Sequence, residues 1–382
     1  GHSREQAYDD LVQYSPVLAQ LSVSYDDEAR AVSASLLGLD TKSASYRPGL
    51  GCAVDYPGSN GRGRIEPILI PASLAPWPAG RSVTTRRAGM QSLLEDIVAR
   101  DNALGLNTRA LLVVHGGEII GEAYAQEADA RTPLLGWSMA KSLIAVMLGN
   151  LELRGLLDPE AAAPFPAWAG DERAAIRIVD MLTMTDGLDF SEEYNPGDDA
   201  TAMLFTSPSM SDYALARPLA NPPGTVFSYS SGTANLLARL HQEIHGGPQA
   251  AYEDFMNFIY EPLGFQHAVF ETDASGVFAG SSYFYASARD WARLGQLMLD
   301  GGEINGTRVV STDWVQRATA PNPSQNDRAY GYQWWLNAGN ARLRLPALPE
   351  ESFYANGNRQ QFVIVVPSAD AVIVRLGWTA GS

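Results

Sequence analysis

The chain has 382 residues, of which 46% are hydrophobic and 18% are charged, the composition of a compact globular protein with two domains or one large domain. A core of this size needs no disulfide or structural metal ion, and the single cysteine, Cys52, excludes an intrachain disulfide. The formal net charge of −16 argues against binding to nucleic acid or to anionic lipid.

Residues 1–85 are interpreted as an N-terminal extension that wraps the body, with weak helical periodicity and then a Gly- and Pro-rich loop at 57–61. The sequence begins Gly1-His2-Ser3 without Met, and an exported or periplasmic location is slightly favoured over a cytoplasmic one. No apolar run approaches the roughly 18 residues of a membrane-spanning helix, so no membrane span is expected.

The periodicity of apolar residues then predicts a series of regular elements. These are a helix over 89–103, a hairpin over 110–125, a helix from Ser138 to about Gly155, short helices without clear strands over 156–255, a helix over 287–300, and strands at 331–336, 362–366 and 371–376. The order of hairpin, helical block and late strands predicts an α+β fold, in which both chain ends build one antiparallel sheet and an all-helical domain is inserted between them. We expect a sheet domain from 86–137 and 256–382, a helical domain from 138–255, and the active site between the two.

The lysine content points to one position. The chain holds 25 Arg but only two Lys, Lys42 and Lys141. A GC-rich genome explains the bias in general, but Arg cannot lose its proton near neutral pH, whereas Lys can. Lys141 is therefore a candidate base, while Lys42 lies in a polar stretch and is not.

Ser138 and Lys141 form a Ser-x-x-Lys motif at the start of an apolar helix, where residues three apart share one face. The free N–H groups and positive end of the first helical turn disfavour the ammonium form of Lys141, as does burial. A neutral Lys can take the hydroxyl proton as Ser138 attacks a carbonyl carbon. The motif alone often occurs by chance, but this is its single instance in the chain.

Tyr229 is the second candidate, in a segment that follows a Pro/Gly turn at 221–224. A Tyr hydroxyl whose pKa is lowered by a nearby Lys is able to pass a proton to a leaving group. The alternative is a packed, hydrogen-bonded Tyr without a chemical role.

With these motifs in this order, the chain resembles the serine hydrolase superfamily of class C β-lactamases, penicillin-binding DD-peptidases and related esterases. It is most similar to the 6-aminohexanoate-oligomer hydrolases, through Tyr229-x-Ser231, Ala-Arg-Asp-Trp-Ala-Arg-Leu-Gly at 288–295 and Gln-Trp-Trp at 333–335. The resemblance spans roughly residues 85–378 and implies the β-lactamase/transpeptidase-like fold.

The resemblance also implies roles for particular residues. Ser138, Lys141 and Tyr229 match the catalytic residues, with Ser138 as nucleophile, Lys141 as general base and Tyr229 as general acid/base. Five residues are expected to bind the substrate: Ser231, Trp335, Tyr194, Asn358 and Arg359. Trp335 and Tyr194 are expected to line the acyl pocket, and a backbone N–H near Asn358 is expected to complete the oxyanion hole. Arg359 takes the place of the cation in the Lys-Thr-Gly motif of true β-lactamases, which is absent here, as is the Asn of their Tyr motif.

We therefore expect a hydrolase that cleaves a small-molecule ester or amide through a Ser138 acyl-enzyme, with no cofactor and no metal ion. Alternatives on the same fold are a non-hydrolytic penicillin-recognising sensor, a weak β-lactamase or a D-aminopeptidase. An α/β-hydrolase with a nucleophile elbow at Ser138 is a weaker alternative, because it requires a buried strand before Ser138 and a late catalytic His.

His241 and His245 are spaced like zinc ligands, but no third ligand is evident in the sequence. The oligomeric state is left open.

Overall fold

The computed structural model describes residues 4–12, 16–56, 65–84, 86–162 and 164–380, so the loop predicted at 57–61 lies outside the described residues. The helices are α1 (Arg4–Val12), α2 (Ala88–Ala103), α3 (Ala140–Leu153), α4 (Ile178–Leu182), α5 (Asp199–Thr206), α6 (Met210–Leu215), α7 (Ser231–Ile244), α8 (Pro248–Phe255), α9 (Glu261–Leu263), α10 (Ala288–Leu299) and α11 (Thr312–Ala318). Within this part of the chain, no helix combines the length and the apolar character that crossing a membrane requires.

The strands fall into four antiparallel groups. In chain order they are β1 (Leu21–Asp26), β2 (Ala31–Leu36), β3 (Asp40–Arg47), β4 (Gly51–Val54), β5 (Thr108–His115), β6 (Glu118–Tyr124), β7 (Leu134–Leu135), β8 (Ala268–Phe270), β9 (Phe284–Ala286), β10 (Glu303–Ile304), β11 (Thr307–Arg308), β12 (Trp335–Leu336), β13 (Phe353–Gly357), β14 (Gln361–Val366) and β15 (Ala371–Gly377).

The largest sheet has six strands in the order β12-β13-β14-β15-β5-β6, and every neighbouring pair is antiparallel. The hairpin β5–β6 precedes the helical block, whereas β12 to β15 follow it. Both ends of the chain therefore contribute to one sheet, and the predicted α+β fold of the β-lactamase/transpeptidase type is confirmed. The hairpin turns at Gly116 and Gly117, whose φ values of 61° and 70° suit the tight turn that joins twisted antiparallel strands.

Helices cover one face of this sheet along β14, β15 and β5, and the other face at β5 and β6. The strand β5, which has helices on both faces, is almost entirely buried, whereas burial alternates along β14 and β15. In β5, Leu111 and Val113 pack with the buried face of α2, while Leu112 and Val114 belong to the main core on the opposite face. The helix α10 covers that opposite face. A Cβ atom at Gly295 in α10 would lie 2.5 Å from Val372 Cγ1, so the helix approaches β15 at a distance that only Gly allows.

The helical block centres on α3, in which every residue from Ala140 to Leu151 is buried. A 3-10 turn at Trp137–Met139 leads into this helix, which ends at Leu153 ahead of a left-handed Gly155, as the sequence predicted. The main core contains side chains from the helical block and from the sheet region alike. The division into domains at 137/138 and 255/256 stays a prediction.

Two segments differ from the expected secondary structure. Residues 21–54 form a four-stranded antiparallel sheet, β1 to β4, although the sequence indicated only weak helical periodicity there; the Ser- and Ala-rich strands carry little apolar alternation. The strand predicted at 331–336 is reduced to Trp335–Leu336, because the chain turns at Gln333, which has a φ of 60°.

The α/β-hydrolase alternative is wrong. The strand before Ser138 is the two-residue β7, which pairs with β9 in a small antiparallel sheet, and the large sheet is also antiparallel. A nucleophile elbow needs a longer, buried strand that leads directly into the helix.

Candidate functional site

Ser138 lies in the 3-10 turn that begins α3, at the junction between the sheet and the helical block. The preceding residue, Trp137, has a φ of 48°, an uncommon conformation for a bulky side chain. Gly136 is fixed by close packing, since a Cβ atom there would lie 2.0 Å from an atom of the Trp291 ring. The backbone before Ser138 is therefore held in an unusual shape by buried neighbours, a feature common at functional sites.

Lys141 follows one helical turn later and is almost completely buried, with 1% of its surface exposed. Its Nζ donates to Ser138 Oγ, to Ser231 Oγ and to the carbonyl oxygen of Ser281, each at 3.1 Å. Burial disfavours the charged ammonium and lowers the pKa of Lys141 to about 8, although the nearby Glu192 carboxylate opposes this shift. A substantial fraction of Lys141 is thus neutral near physiological pH.

The Tyr229 ring packs against both the base and an aromatic wall. It stacks on Trp335 with a centroid distance of 5.2 Å, and Lys141 Nζ lies 4.7 Å from its centroid. Burial raises the pKa of the Tyr229 hydroxyl well above its ordinary value, and Tyr330 and Glu192 act in the same direction, while a hydrogen bond with the Ser138 side chain opposes them. The expectation that Lys141 lowers the pKa of Tyr229 is therefore wrong, because loss of solvent dominates.

Ser231 connects Lys141 to a carboxylate that the sequence did not reveal. Its backbone N–H and its hydroxyl each donate to the Glu192 carboxylate, to Oε2 and Oε1 respectively, at 2.6 Å. Ser231 is the first residue of α7, where free N–H groups and the helix dipole favour a negative charge. A continuous chain of hydrogen bonds runs from Lys141 through Ser231 to Glu192.

The candidate acyl-pocket residue Tyr194 belongs to the same chain, because its hydroxyl donates to Glu192 Oε1 at 3.2 Å. Half of its surface, 50%, is exposed, as expected for a side chain at the edge of a cleft. Glu192 and Tyr194 lie in a segment without regular structure between α4 and α5, and no motif marks the carboxylate. Only its position two residues before Tyr194 could have drawn attention to it.

The end of β13 lies directly against the turn that contains Ser138. A Cβ atom at Gly357 would be 2.0 Å from the carbonyl oxygen of Gly136, so the two backbones approach as closely as Gly permits. This contact brings the segment after Gly357 beside the Ser138 turn. Asn358 is exposed there, and its side-chain oxygen accepts a hydrogen bond from the backbone N–H of Arg359 at 2.9 Å.

Arg359 is largely buried and its guanidinium lies 5.5 Å from the ring centroid of Trp378. Trp378 in turn lies 6.1 Å from Trp137, so Arg359 extends along the aromatic side chains next to the Ser138 turn. The structure thus brings Ser138, Lys141, Tyr229 and Ser231 into direct contact. Trp335 contacts this group through Tyr229, and Tyr194 contacts it through Glu192. The Arg359 guanidinium lies over Trp378.

The arrangement has the parts needed for acyl transfer. A hydroxyl lies within hydrogen-bond reach of an amine that can be neutral, and the backbone N–H groups at the start of a helix can stabilise a developing oxyanion. A phenol with a raised pKa keeps its proton and can donate it.

Comparisons with known proteins show what the chain as a whole is similar to. The chain is 27% identical over 293 residues to the 6-aminohexanoate-dimer hydrolase of Paenarthrobacter ureafaciens, an alignment that covers 70% of this chain and 72% of the relative. A proposed 6-aminohexanoate-dimer hydrolase from Bacillus anthracis has a similar structure, with a TM-score of 0.63, 22% identity and coverage of 75% and 76% of the two chains. EstCE1, a hydrolase with promiscuous acyltransferase activity, has a TM-score of 0.62 at 15% identity and covers 76% of this chain and 93% of its own.

The family model for Beta-lactamase matches residues 90–379, a range that includes the Ser138 turn, α3, α7 and the whole six-stranded sheet. This match confirms the superfamily that the motifs indicated. The chain belongs to the Beta-lactamase family, and it is a serine hydrolase.

Proposed function

We propose that this protein hydrolyses a small ester or amide through an acyl-enzyme on Ser138, with Lys141 as general base and Tyr229 as general acid. The observation that carries the proposal is the 3.1 Å contact between Ser138 Oγ and the Nζ of a fully buried Lys141 whose pKa is lowered to about 8. A nucleophilic hydroxyl next to a base that is partly neutral near physiological pH is the minimum that such chemistry needs.

In the acylation step, Ser138 Oγ bonds to the substrate carbonyl carbon while its proton moves to Lys141 Nζ. The resulting oxyanion accepts hydrogen bonds from the backbone N–H of Ser138 and from an N–H near Asn358. When the tetrahedral intermediate collapses, the bond to the leaving oxygen or nitrogen breaks, Tyr229 gives its proton to the leaving atom, and the Lys141 ammonium returns a proton to Tyr229. Water then attacks the acyl carbon and gives one proton to neutral Lys141. The bond between Ser138 Oγ and the acyl carbon breaks, and Ser138 Oγ takes that proton back as the acid is released.

The walls of the cleft suggest a modest acyl group. Trp335 stacks on Tyr229 and also carries the Arg344 guanidinium 4.6 Å from its ring centroid, while Tyr194 lies half exposed at the rim. The wall beside the reacting hydroxyl is therefore largely aromatic. The name of the Paenarthrobacter relative supports a linear amide such as 6-aminohexanoate dimer as one substrate to test. Efficient β-lactam hydrolysis is disfavoured, because the Lys-Thr-Gly cation is absent and Arg359 packs toward Trp378.

The proposal is tested first at Ser138. A fluorophosphonate should label the wild-type protein at Ser138 and should leave Ser138→Ala unlabelled, as seen by mass spectrometry of the intact chain. Turnover of at least one substrate among p-nitrophenyl esters, nitrocefin, D-amino-acid amides and aminohexanoate dimer should disappear in the same variant. A stable adduct on Ser138 without turnover would favour the penicillin-recognising sensor, and absence of both labelling and turnover would refute the assignment.

Glu192 is proposed as a positioning residue that acts on Lys141 through Ser231. In the wild type, kcat/KM should rise with pH and reach half its maximum near pH 8, because only neutral Lys141 accepts the proton. The negative charge of Glu192 raises the pKa of Lys141. Glu192→Gln removes that charge, so the midpoint of the profile should move to lower pH. The plateau should fall about tenfold, since a charged hydrogen-bond partner of Ser231 is lost.

A matched control is Glu193→Gln, which removes one negative charge from the next, exposed residue. This variant should keep both the midpoint and the plateau. A drop in the Glu192→Gln plateau without a change in midpoint would mean that Glu192 has only a structural role.

A further inference from the structure

Outside the candidate active site, two imidazoles and a carboxylate converge where α7 meets α8. His241 and His245 lie at i and i+4 near the end of α7, and Asp254 lies in α8. The Nε2 atoms of His241 and His245 are 3.1 and 3.2 Å from the same oxygen, Asp254 Oδ2. Among the residues that the structure describes, this is the one group of His, Cys, Asp and Glu with metal-ligand proximity, all ligand atoms lying within 4.8 Å of one another.

We propose that His241, His245 and Asp254 bind a single Zn²⁺ ion. Nitrogen ligands from two His and one carboxylate oxygen form a set that zinc takes, and its bonds to such ligands are about 2.0–2.2 Å long. In a tetrahedral site with such bonds, neighbouring ligand atoms are about 3.3 Å apart. The two separations from Asp254 Oδ2 are close to that edge length, whereas the ligand atoms spread over as much as 4.8 Å. An ion would therefore replace the hydrogen bond between His241 and Asp254 and draw the two imidazoles together.

The hydrogen bonds around the cluster leave room for an ion. Asp254 Oδ1 accepts from Arg154 at 2.6 Å, and the same Arg154 nitrogen donates to Asn150 at 3.1 Å. This contact fixes the carboxylate from one side, as the outer partners of metal-ligating carboxylates do, and leaves Oδ2 facing the imidazoles.

The hydrogen bonds of the imidazoles are incomplete. His241 has no exposed surface, and His245 Nε2 is a buried atom that has no hydrogen-bond partner within the described residues despite its proximity to Asp254. A buried polar atom without a partner is costly, and a bound metal ion would satisfy it.

The sequence could not show this site, because Asp254 belongs to a different helix from the His pair and its approach depends on how α8 packs against α7. The site is also distant from the proposed nucleophile. Ser231 and His241 are ten residues apart on one helix, which corresponds to about 15 Å. We therefore expect the ion to fix α8 on α7 and to affect stability, and we expect no direct part in acyl transfer.

The test is zinc binding by the full chain after treatment with a chelator. Competition against a chromogenic zinc indicator should give one high-affinity Zn²⁺ per chain. The melting temperature should rise by roughly 3–5 °C at about a hundredfold excess of free Zn²⁺ over Kd. His245→Ala, which changes the most exposed ligand, should weaken binding at least about a hundredfold, and Asp254→Asn should weaken it as well.

His115→Ala is the matched control, because this His is exposed at the end of β5, outside the cluster, and its loss should leave zinc binding unchanged. Ser138→Ala should also bind zinc normally, so the result does not depend on the proposed hydrolysis. Circular dichroism identifies variants that fail to fold. Absence of stoichiometric zinc binding, or equal affinity in folded His245→Ala, would overturn the proposal.

Discussion

Lys141→Met is expected to lower kcat/KM for a p-nitrophenyl ester by about 10³-fold, the range typical of losing a general base. Met has nearly the length of Lys and can fill the same buried space, but it cannot accept a proton. The substitution also removes the Nζ atom that donates hydrogen bonds to Ser138 Oγ, Ser231 Oγ and the Ser281 carbonyl oxygen. The measurement is the initial rate over a substrate series at pH 8.5, with fluorophosphonate labelling as a second readout.

The same variant should be more stable than the wild type at pH 7. The pKa of Lys141 is about 8 in the folded protein, against 10.5 for an unperturbed Lys, so folding disfavours the ammonium. Between these two values the unfolded state binds more protons, and wild-type stability therefore rises with pH across that window. Below pH 8 the full penalty applies, and a difference of 2.5 pKa units corresponds to about 3 kcal/mol before the lost hydrogen bonds are subtracted. The melting temperature of Lys141→Met should thus exceed that of the wild type most clearly at low pH.

The chain offers a simple control, since Lys42 is its other lysine and is exposed on the N-terminal sheet. Lys42→Met should leave both activity and the pH dependence of stability unchanged. If folded Lys141→Met keeps more than about a tenth of wild-type activity, Lys141 is not the general base, since that role accounts for a far larger factor.

The sequence predicted the parts of the site that depend on local spacing. Ser138 and Lys141 are three residues apart on a helix, so their contact follows from helical geometry alone. The position of Tyr229 beside them required the family resemblance, because no local rule brings a residue 88 positions after Lys141 next to the same helix. The hairpin β5–β6 was predictable since Gly116-Gly117 separates two apolar runs.

Contacts between distant segments could not be predicted. Glu192 binds Ser231 and Asp254 meets His241 only because separate helices and loops pack together. The direction of the Tyr229 pKa shift could not be predicted either, because the sequence does not show how far neighbouring residues exclude solvent from the hydroxyl. Electrostatics at a buried site depend on the extent of burial, which emerges only from the assembled core.

Tyr229→Phe is the second variant with a large expected effect, and that effect should depend on the leaving group. Phe keeps the ring that stacks on Trp335 and faces Lys141, so the shape of the site is conserved and only the hydroxyl is lost. An amine leaving group needs a proton as its bond breaks, whereas p-nitrophenolate leaves without one. We therefore expect kcat/KM to fall by about 10²–10³ for an anilide and much less for the p-nitrophenyl ester of the same acid.

The ratio of the two rates serves as an internal control, because any general distortion of the site lowers both. Tyr46→Phe, which removes a hydroxyl from an exposed ring on β3, should leave both rates unchanged. The raised pKa of Tyr229 also supports its role as the proton donor, because a phenol that keeps its proton is able to give it to the leaving group. The neutral form of Lys141 then acts as the base. Equal losses for ester and anilide would show that the Tyr229 hydroxyl orients Ser138, with which it shares a hydrogen bond, and does not protonate the leaving group.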